Sequence, residues 1–222
     1  MVRHSGNTTM IITFLAIRRI IGILGMALPV VVVVGGFIGK GFIIQDSISS
    51  YYYTNMRDFF VGTMCVVAVY LIAYRGYERI DGVVTDMSGV FALGVVAFPT
   101  STQMISAIDV GIFHLSDKVS QYFHVIFAAL FFLSLAFISI FLFTRSGGTN
   151  VGREKRRRNA IYRICGCVMV FAIAVMIIFY AFLRKTEIAK TDPILFLETV
   201  ALISFGVSWF VKGDTLFRDK KS

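Results

Sequence analysis

Charged residues are scarce in this chain: they make up 16% of its 222 residues, while 57% are hydrophobic. A soluble domain carries about a quarter charged residues, and the mean hydropathy here is +0.78. Long apolar runs separated by short polar loops account for this bias. The composition therefore excludes a soluble domain of ordinary size and indicates a membrane protein.

Cysteine and histidine are also rare, with three of each. Cys65 lies inside one apolar run, and Cys165 and Cys167 lie near the start of another. An odd number of cysteines in or beside lipid is not a disulfide framework. A Cys-x-Cys pair supplies only two of the four ligands that a structural zinc site needs. We interpret all three cysteines as small packing residues.

Six apolar runs have the length of membrane-spanning helices. About 20 residues of helix cross ~30 Å of hydrocarbon and satisfy their own backbone hydrogen bonds. No small-residue cleavage pattern follows Arg18–Arg19, so we expect the first run to stay as a span rather than act as a signal peptide. The chain 1–222 is therefore predicted to be one integral membrane domain, an all-α six-helix transmembrane bundle. Its spans are predicted at about 20–39, 59–74, 82–98, 122–143, 164–183 and 194–211.

Lysine and arginine concentrate at alternate ends of these spans. Sixteen of the 22 lie at the two termini and in the loops after spans two and four, whereas six lie at the opposite ends. The positive-inside rule then places both termini in the cytoplasm. The same rule explains the net charge of +9, so we do not expect nucleic acid as a partner.

The densest group of basic residues is Arg153–Arg163, immediately before span five. Such a cluster attracts anionic lipid headgroups by about 1 kcal/mol per basic residue near the surface. We expect this run to orient the chain and to contact anionic headgroups on the cytoplasmic side.

Glu198 is the most informative polar residue of the spans. It lies five residues after Pro193, where span six is expected to start with Asp192 as its N-cap. At 1.5 Å per residue Glu198 is about 7–8 Å inside the helix, too deep for capping. A carboxylate within a span is costly in lipid and usually faces the bundle interior. Glu198 is therefore either a ligand-binding or proton-accepting group, or a structural hydrogen-bonding group between helices.

Three more candidates lie at the same predicted extracytoplasmic face. His124 is one turn into span four and is either a packing residue or a site residue. Asp58 either stabilises the first turn of its helix through the dipole or belongs to the site. Arg57 beside it either holds a lipid phosphate or pairs with Glu198.

The loop before span two adds hydroxyl groups, including those of Ser50 and Tyr53. These side chains form either an aromatic belt at the membrane interface or a polar mouth whose hydroxyls orient a headgroup. On the second interpretation a ligand would contact Tyr53, Arg57, Asp58, His124 and Glu198.

One histidine and two carboxylates can hold zinc with an open position for water. Asp58, His124 and Glu198 would be the metal ligands and the candidate catalytic residues, with Ser50 assisting. No local motif such as His-Glu-x-x-His supports this set. We therefore expect no cofactor, with zinc as the alternative.

Residues 51–62, 124–132 and 198–213 together resemble a family of uncharacterised bacterial six-span membrane proteins. This resemblance implies a multi-pass protein of the bacterial inner (plasma) membrane and brings no activity with it. The pattern of His124 followed by Ala128, Phe131 and Phe132 is similar to the Frag/DRAM/Sfk group, which is associated with lipid organisation.

Ser50, Asp58 and His124 also resemble part of the site of the superfamily of alkaline ceramidases and progestin/adiponectin receptors. Its members use a Ser, an Asp and three His around zinc to hydrolyse lipid amides. This chain departs from that pattern, because its last span has Glu198 where those proteins have a paired His-x-x-x-His.

The leading hypothesis is a non-enzymatic protein that binds or organises membrane lipid through a polar pocket at the extracytoplasmic face. The alternatives are a metal-dependent intramembrane lipid hydrolase and a proton-coupled small-molecule transporter. Whether the polar residues lie close together in space would distinguish these hypotheses. Their distances depend on the order of the helices around the bundle.

Overall fold

The computed structural model describes residues 3–38, 44–76, 78–101, 111–145, 152–183 and 193–217, and all regular structure in these ranges is helical. A 3₁₀ helix, Ser49–Tyr53, precedes the second long helix. π-helical turns extend the fourth and fifth helices through Ile138–Leu142 and Phe179–Leu183. The long helices are α1 (Arg3–Gly36), α2 (Arg57–Ala73), α3 (Arg79–Ala97), α4 (Asp117–Phe137), α5 (Arg153–Ile178) and α6 (Pro193–Lys212).

The predicted all-α architecture with six helices is confirmed. α2 has 17 residues, which at 1.5 Å per residue is about 26 Å of helix, close to the ~30 Å of a hydrocarbon core. The other five helices contain segments that are long and apolar enough to cross a membrane: Phe14–Gly36, Arg79–Ala97, Asp117–Leu142, Arg153–Phe182 and Pro193–Lys212.

Two helices begin more than two turns before the predicted spans. α1 starts at Arg3 and continues through Pro29, and α5 starts at Arg153, so the basic run is itself helical. Both differences have one cause: polar and basic residues continue a helix beyond the lipid as long as no helix breaker intervenes. α6 starts at Pro193 as predicted, because proline at the first helical position loses no hydrogen bond. The predicted N-cap, Asp192, lies outside the described residues.

The six helices form a closed ring in which each packs against the next along the chain and α6 returns to α1. Two glycines allow the closing contact. A Cβ atom on Gly206 would lie 2.5 Å from Cγ of Met26 and 2.6 Å from the carbonyl oxygen of Gly22. Small residues let helix backbones approach closely in membranes, where van der Waals packing drives association.

Serine pairs connect helices within the ring. Ser88 of α3 donates a hydrogen bond to Ser134 of α4, with the oxygens 2.8 Å apart. Ser139, in the π-helical turn after α4, donates to Ser208 of α6 at 2.9 Å, and both residues are fully buried. Neither lipid nor apolar side chains offer a substitute partner, so these bonds help to fix how the helices are rotated against one another.

One end of the bundle, here called the basic end, gathers the basic side chains near the helix ends. Arg19 donates to the carbonyl oxygen of Gly213 at 2.8 Å, and Arg18 donates to the hydroxyl of Tyr74 at 2.9 Å. The N-terminal part of the first span therefore meets the ends of α2 and α6. That the basic end faces the cytoplasm stays a prediction.

Candidate functional site

A cavity of about 380 Å³ lies among α4, α5 and α6 at the end of the bundle opposite the basic end. Nearer the basic end, α4 and α5 are in close contact, since Gly166 packs directly against the side chain of Ile140 and the carbonyl of Ala136. Farther along, the two helices leave the space that forms the cavity.

The α4 wall of the cavity presents side chains spaced three and four residues apart, which places them on one face of the helix. Ala128 and Ala129 lie in the middle of this wall, and their small side chains leave the space unfilled. Opposite them, α5 contributes Ile173, Met176, Ile177 and Tyr180. The α4 residues are Gln121, His124, Val125, Ala128, Ala129 and Phe132.

The cavity reaches the outer surface of the bundle between α4 and α5. Val125 is 39% exposed and Ile177 is 57% exposed, and both line the cavity. In a bilayer this surface faces the acyl chains, because both helices contain spans of high hydropathy. In a bilayer the opening of the cavity would therefore face the acyl chains.

His124 lies at the polar end of the cavity and is only 4% exposed. Its Nδ1 is 2.7 Å from the carbonyl oxygen of Phe98, just after α3. A carbonyl can only accept, so Nδ1 carries the proton and donates, and in a neutral ring Nε2 is then an acceptor. The bond also satisfies a carbonyl at a helix end that has no helical donor, because α3 stops before Pro99.

Glu198 joins α6 to the loop before α2. Its Oε2 accepts a hydrogen bond from the backbone N–H of Ile48, with the two atoms 2.6 Å apart, and the N–H of Ser49 faces the same carboxylate. The backbone N–H of Leu195 donates to the carbonyl oxygen of Asp46 at 3.0 Å. The amides of Ile48 and Ser49 lie at the start of the 3₁₀ helix, where backbone N–H groups lack helical partners, and the carboxylate of Glu198 accepts their hydrogen bonds. Glu198 thus fastens the 3₁₀ helix to the bundle while also lining the cavity.

The loop held by Glu198 is internally bonded. Ser50 donates its hydroxyl to Oδ1 of Asp46 at 2.6 Å, and Oγ of Ser47 accepts the backbone N–H of Ser50 at 3.0 Å. Tyr51 is fully buried in the core of the bundle. Of these residues Ser47 lines the cavity, whereas the Ser50 hydroxyl is bonded to Asp46.

The segment directly after α3 forms the rest of the polar end of the cavity through Thr100. Tyr53 donates its hydroxyl to the carbonyl oxygen of Thr100 at 2.7 Å, and Thr100 donates its own hydroxyl to Oε1 of Gln121 at 2.7 Å. Burial, and then the negative charge of Asp117, raise the pKa of Tyr53 to about 12. Its hydroxyl therefore remains a donor at any ordinary pH.

The structure brings two of the predicted site residues, His124 and Glu198, into one cavity. Arg57 and Asp58 are exposed at the start of α2, outside the cavity lining. Arg57 donates to the hydroxyl of Tyr52 at 2.7 Å and stacks on its ring, 4.4 Å from the centroid, rather than pairing with Glu198. Asp58 lies in the first turn of α2, where it stabilises the helix through the dipole. Ser50 and Tyr53 lie close by and support the walls rather than line them.

The part of the chain that the structure describes contains no group of three or more His, Cys, Asp or Glu side chains arranged to hold a metal ion. His124 and Glu198 share a cavity, but Asp58 is not among the residues that line it. The placement of these three side chains therefore gives the alternative zinc site no support. The three cysteines are free thiols.

Sequence reasoning missed Gln121 as a site residue. It lies one helical turn before His124, so a polar residue three positions from a histidine at the start of an apolar run was the available signal. The apolar wall from α5 had no such signal, because its residues look like those of any span.

A smaller cavity of about 30 Å³ lies toward the centre of the bundle. It shares Ala128, Phe132 and Glu198 with the large cavity. A space of this size holds about one water molecule. Glu198 therefore borders both the large cavity and the bundle interior.

Residues 21–212 match the model of a protein family described as protein of unknown function (DUF998). The match covers all but the terminal segments and confirms the predicted resemblance to a family without known activity. No curated protein and no solved structure matches the chain significantly. The two weaker resemblances, to the Frag/DRAM/Sfk group and to the ceramidase superfamily, stay predictions.

Proposed function

We propose that this multi-pass membrane protein, which belongs to the DUF998 family of proteins of unknown function, binds a membrane lipid in the cavity between α4 and α5. The hydrocarbon chain would lie along the apolar faces of the two helices. The polar end of the lipid would lie among Ser47, Gln121, His124 and Glu198.

The observation that carries this proposal is the combination of an apolar wall, an opening toward lipid and a polar end in one space. Ligand pockets are usually mostly apolar, with a few polar groups that orient the ligand. Here Ala128 and Ala129 leave the apolar space, and His124 and Glu198 provide the orienting groups. A water-soluble ligand would have to enter through a polar mouth, whereas a lipid can enter sideways between Val125 and Ile177.

The volume of the cavity favours one hydrocarbon chain over a whole two-chain lipid. At about 380 Å³ it lies near the lower limit of ligand pockets, which measure ~300–1,000 Å³. A second chain would remain outside, in the bilayer. This arrangement suits a protein that holds or presents a lipid rather than one that encloses it.

We propose that the protein lies in the bacterial inner membrane with both termini in the cytoplasm, and that the basic run contacts anionic headgroups there. Arg153, Arg156 and Arg157 are exposed in the first turns of α5. Each exposed basic residue near a membrane surface adds about 1 kcal/mol of attraction to anionic lipid. This contact lies at the opposite end of α5 from the cavity.

The cavity can be tested by filling it. In Ala129→Phe a phenyl group would occupy the space between α4 and α5, and we expect the occupancy of co-purified lipid to fall about tenfold, equivalent to ~1.4 kcal/mol. Ala174→Phe is the matched control, because Ala174 is exposed on α5 and does not line the cavity. Native mass spectrometry of the detergent-purified proteins would count the bound lipid molecules.

Wild type and Ala174→Phe should retain the same lipid adduct, and Ala129→Phe should lose it at an unchanged melting temperature. Equal lipid adducts in all three proteins would reject the cavity as the binding site. A complete absence of adducts from wild type, also after incubation with added lipid, would reject lipid binding itself.

A further inference from the structure

The chemistry of the polar end of the cavity restricts which lipid it can take. This inference rests on the proposed function and concerns the headgroup of the bound molecule.

Two carboxylates lie at or beside the polar end of the cavity. Glu198 lines the cavity, and the Asp46 carboxylate is near enough to act electrostatically on it. Among the described residues that line the cavity, none is lysine or arginine. Two described cations lie nearby but outside the lining: Arg57, which is bonded to Tyr52 at the start of α2, and Lys118, which is exposed in the first turn of α4. An anionic headgroup would therefore be repelled by an ionised Glu198, and no cation among the described lining residues would compensate this repulsion.

The free hydrogen-bonding positions at the polar end are mostly acceptors. Nδ1 of His124 donates to the carbonyl of Phe98, and the carbonyl of Val95 also faces the ring; in the neutral ring Nε2 is then an acceptor. When it is ionised, the Glu198 side chain has acceptor positions and no donor. Oε1 of Gln121 is already bonded to Thr100 and Ser101, so its amide NH₂ is the donor that remains.

The Ser47 hydroxyl does not change this balance. Its Oγ accepts the backbone N–H of Ser50 and is 2.7 Å from the Ser50 hydroxyl. Ser47 is therefore committed within its own loop. From Gln121, His124 and Glu198 a ligand therefore meets two acceptors, one of them a carboxylate, and one amide donor, and the hydroxyl-bearing Tyr180 also lines the cavity.

From this balance we infer that the cavity selects a single-chain amphiphile with a primary amine headgroup. An ammonium group has three donors and no acceptor, so it complements Glu198 and Nε2 of His124. Its positive charge also compensates the burial of the carboxylate, which is costly in a low-dielectric environment. A phosphate headgroup is negatively charged and offers mainly acceptors, so it matches neither the charge nor the hydrogen bonding of this end. An alcohol headgroup is of similar size to the amine but carries no charge.

Three probes with the same alkyl chain separate these cases: tetradecylamine, tetradecanol and tetradecyl phosphate. Each would be titrated into delipidated full-length protein, and native mass spectrometry would give the apparent Kd. For wild type we expect the amine to bind at least about tenfold more tightly than either of the others. In Glu198→Gln that preference should disappear while the alcohol binds as before.

Glu198 also fastens the loop, so Glu198→Gln could lose binding through misfolding. Asp46→Asn provides a second test, since Asp46 does not line the cavity but adds to its negative charge. We expect it to reduce the preference for the amine several-fold without changing alcohol binding. Ala129→Phe should lose all three probes, and Ala174→Phe should behave as wild type.

The possible failures are distinguishable. Equal binding of amine and alcohol to wild type, with both lost in Ala129→Phe, would overturn the headgroup inference and leave lipid binding in place. Tighter binding of the phosphate would overturn it in favour of an anionic ligand. If none of the probes binds, or if all still bind to Ala129→Phe, both the headgroup inference and the proposed site are wrong.

Discussion

The carboxylate of Glu198 in α6 accepts a hydrogen bond from the backbone N–H of Ile48, a residue 150 positions earlier in the chain, at an Oε2–N distance of 2.6 Å. This bond connects the last span to the first loop and places the 3₁₀ helix over the ring. It also explains how a carboxylate is accommodated within a span: backbone amides compensate part of the cost of its burial. The same side chain lines the large cavity, so it combines a structural and a candidate binding role.

We expect Glu198→Ala to lower the free energy of unfolding by about 1.5–3 kcal/mol, because the amides of Ile48 and Ser49 would lose a charged acceptor. Glu198→Gln keeps one acceptor oxygen and should cost less than half of that. Melting temperatures of the detergent-purified variants would measure both changes. An Ala variant as stable as the Gln variant would show that the hydrogen bond does not hold the loop.

Gly206→Ala should destabilise the bundle by about 1–3 kcal/mol, a typical cost of overpacking. The added Cβ would lie 2.6 Å from the backbone oxygen of Gly22, which cannot move without displacing α1. Gly62→Ala is the control within another span, since a Cβ there meets nothing within 4 Å. It should be neutral or stabilising by up to about 1 kcal/mol, because alanine favours helix over glycine. Equal effects in the two variants, measured by thermal unfolding, would contradict the close α1–α6 contact.

Ser139 and Ser208 should show a measurable coupling in a double-mutant cycle. Hydrogen bonds between membrane helices contribute about 0.6 kcal/mol on average and at most ~1.7 kcal/mol. We therefore expect Ser139→Ala and Ser208→Ala to be less than additive by roughly this amount. Stability would be followed by unfolding in mixed micelles, and strictly additive effects would mean that the two hydroxyls are not partners.

The predicted orientation can be tested by cysteine labelling in a variant without Cys65, Cys165 and Cys167. Gly152→Cys lies at the basic end before α5, and Ser116→Cys lies at the opposite end before α4; both positions are exposed. On intact cells, a membrane-impermeant maleimide should label Ser116→Cys alone, and Gly152→Cys should react only after permeabilisation. The reverse pattern would place the basic end outside, against the positive-inside rule.

The number of helices was predictable from the chain because the bilayer imposes a simple length requirement on every span. Glu198 and His124 were also candidates from the sequence, since a polar residue within an apolar run is rare and costly. Arg57 and Asp58 looked equally good as candidates, but they lie at the exposed start of α2. A charged residue at a helix end can be solvated by water or stabilised by the helix dipole without entering a binding site. Its residue type therefore says little about where its side chain points.

The amino-acid pattern alone therefore specifies the set of helices and the two polar groups placed inside spans, because backbone hydrogen bonding and hydrocarbon thickness act on each segment separately. That His124 and Glu198 share a cavity with Gln121 and an apolar wall from α5 follows only from how the helices pack. That outcome depends on the order of the helices in the ring and on their rotation, which close contacts such as Gly22–Gly206 and Gly166–Ile140 determine. Contacts of this kind join residues far apart in the chain, and no local pattern specifies them.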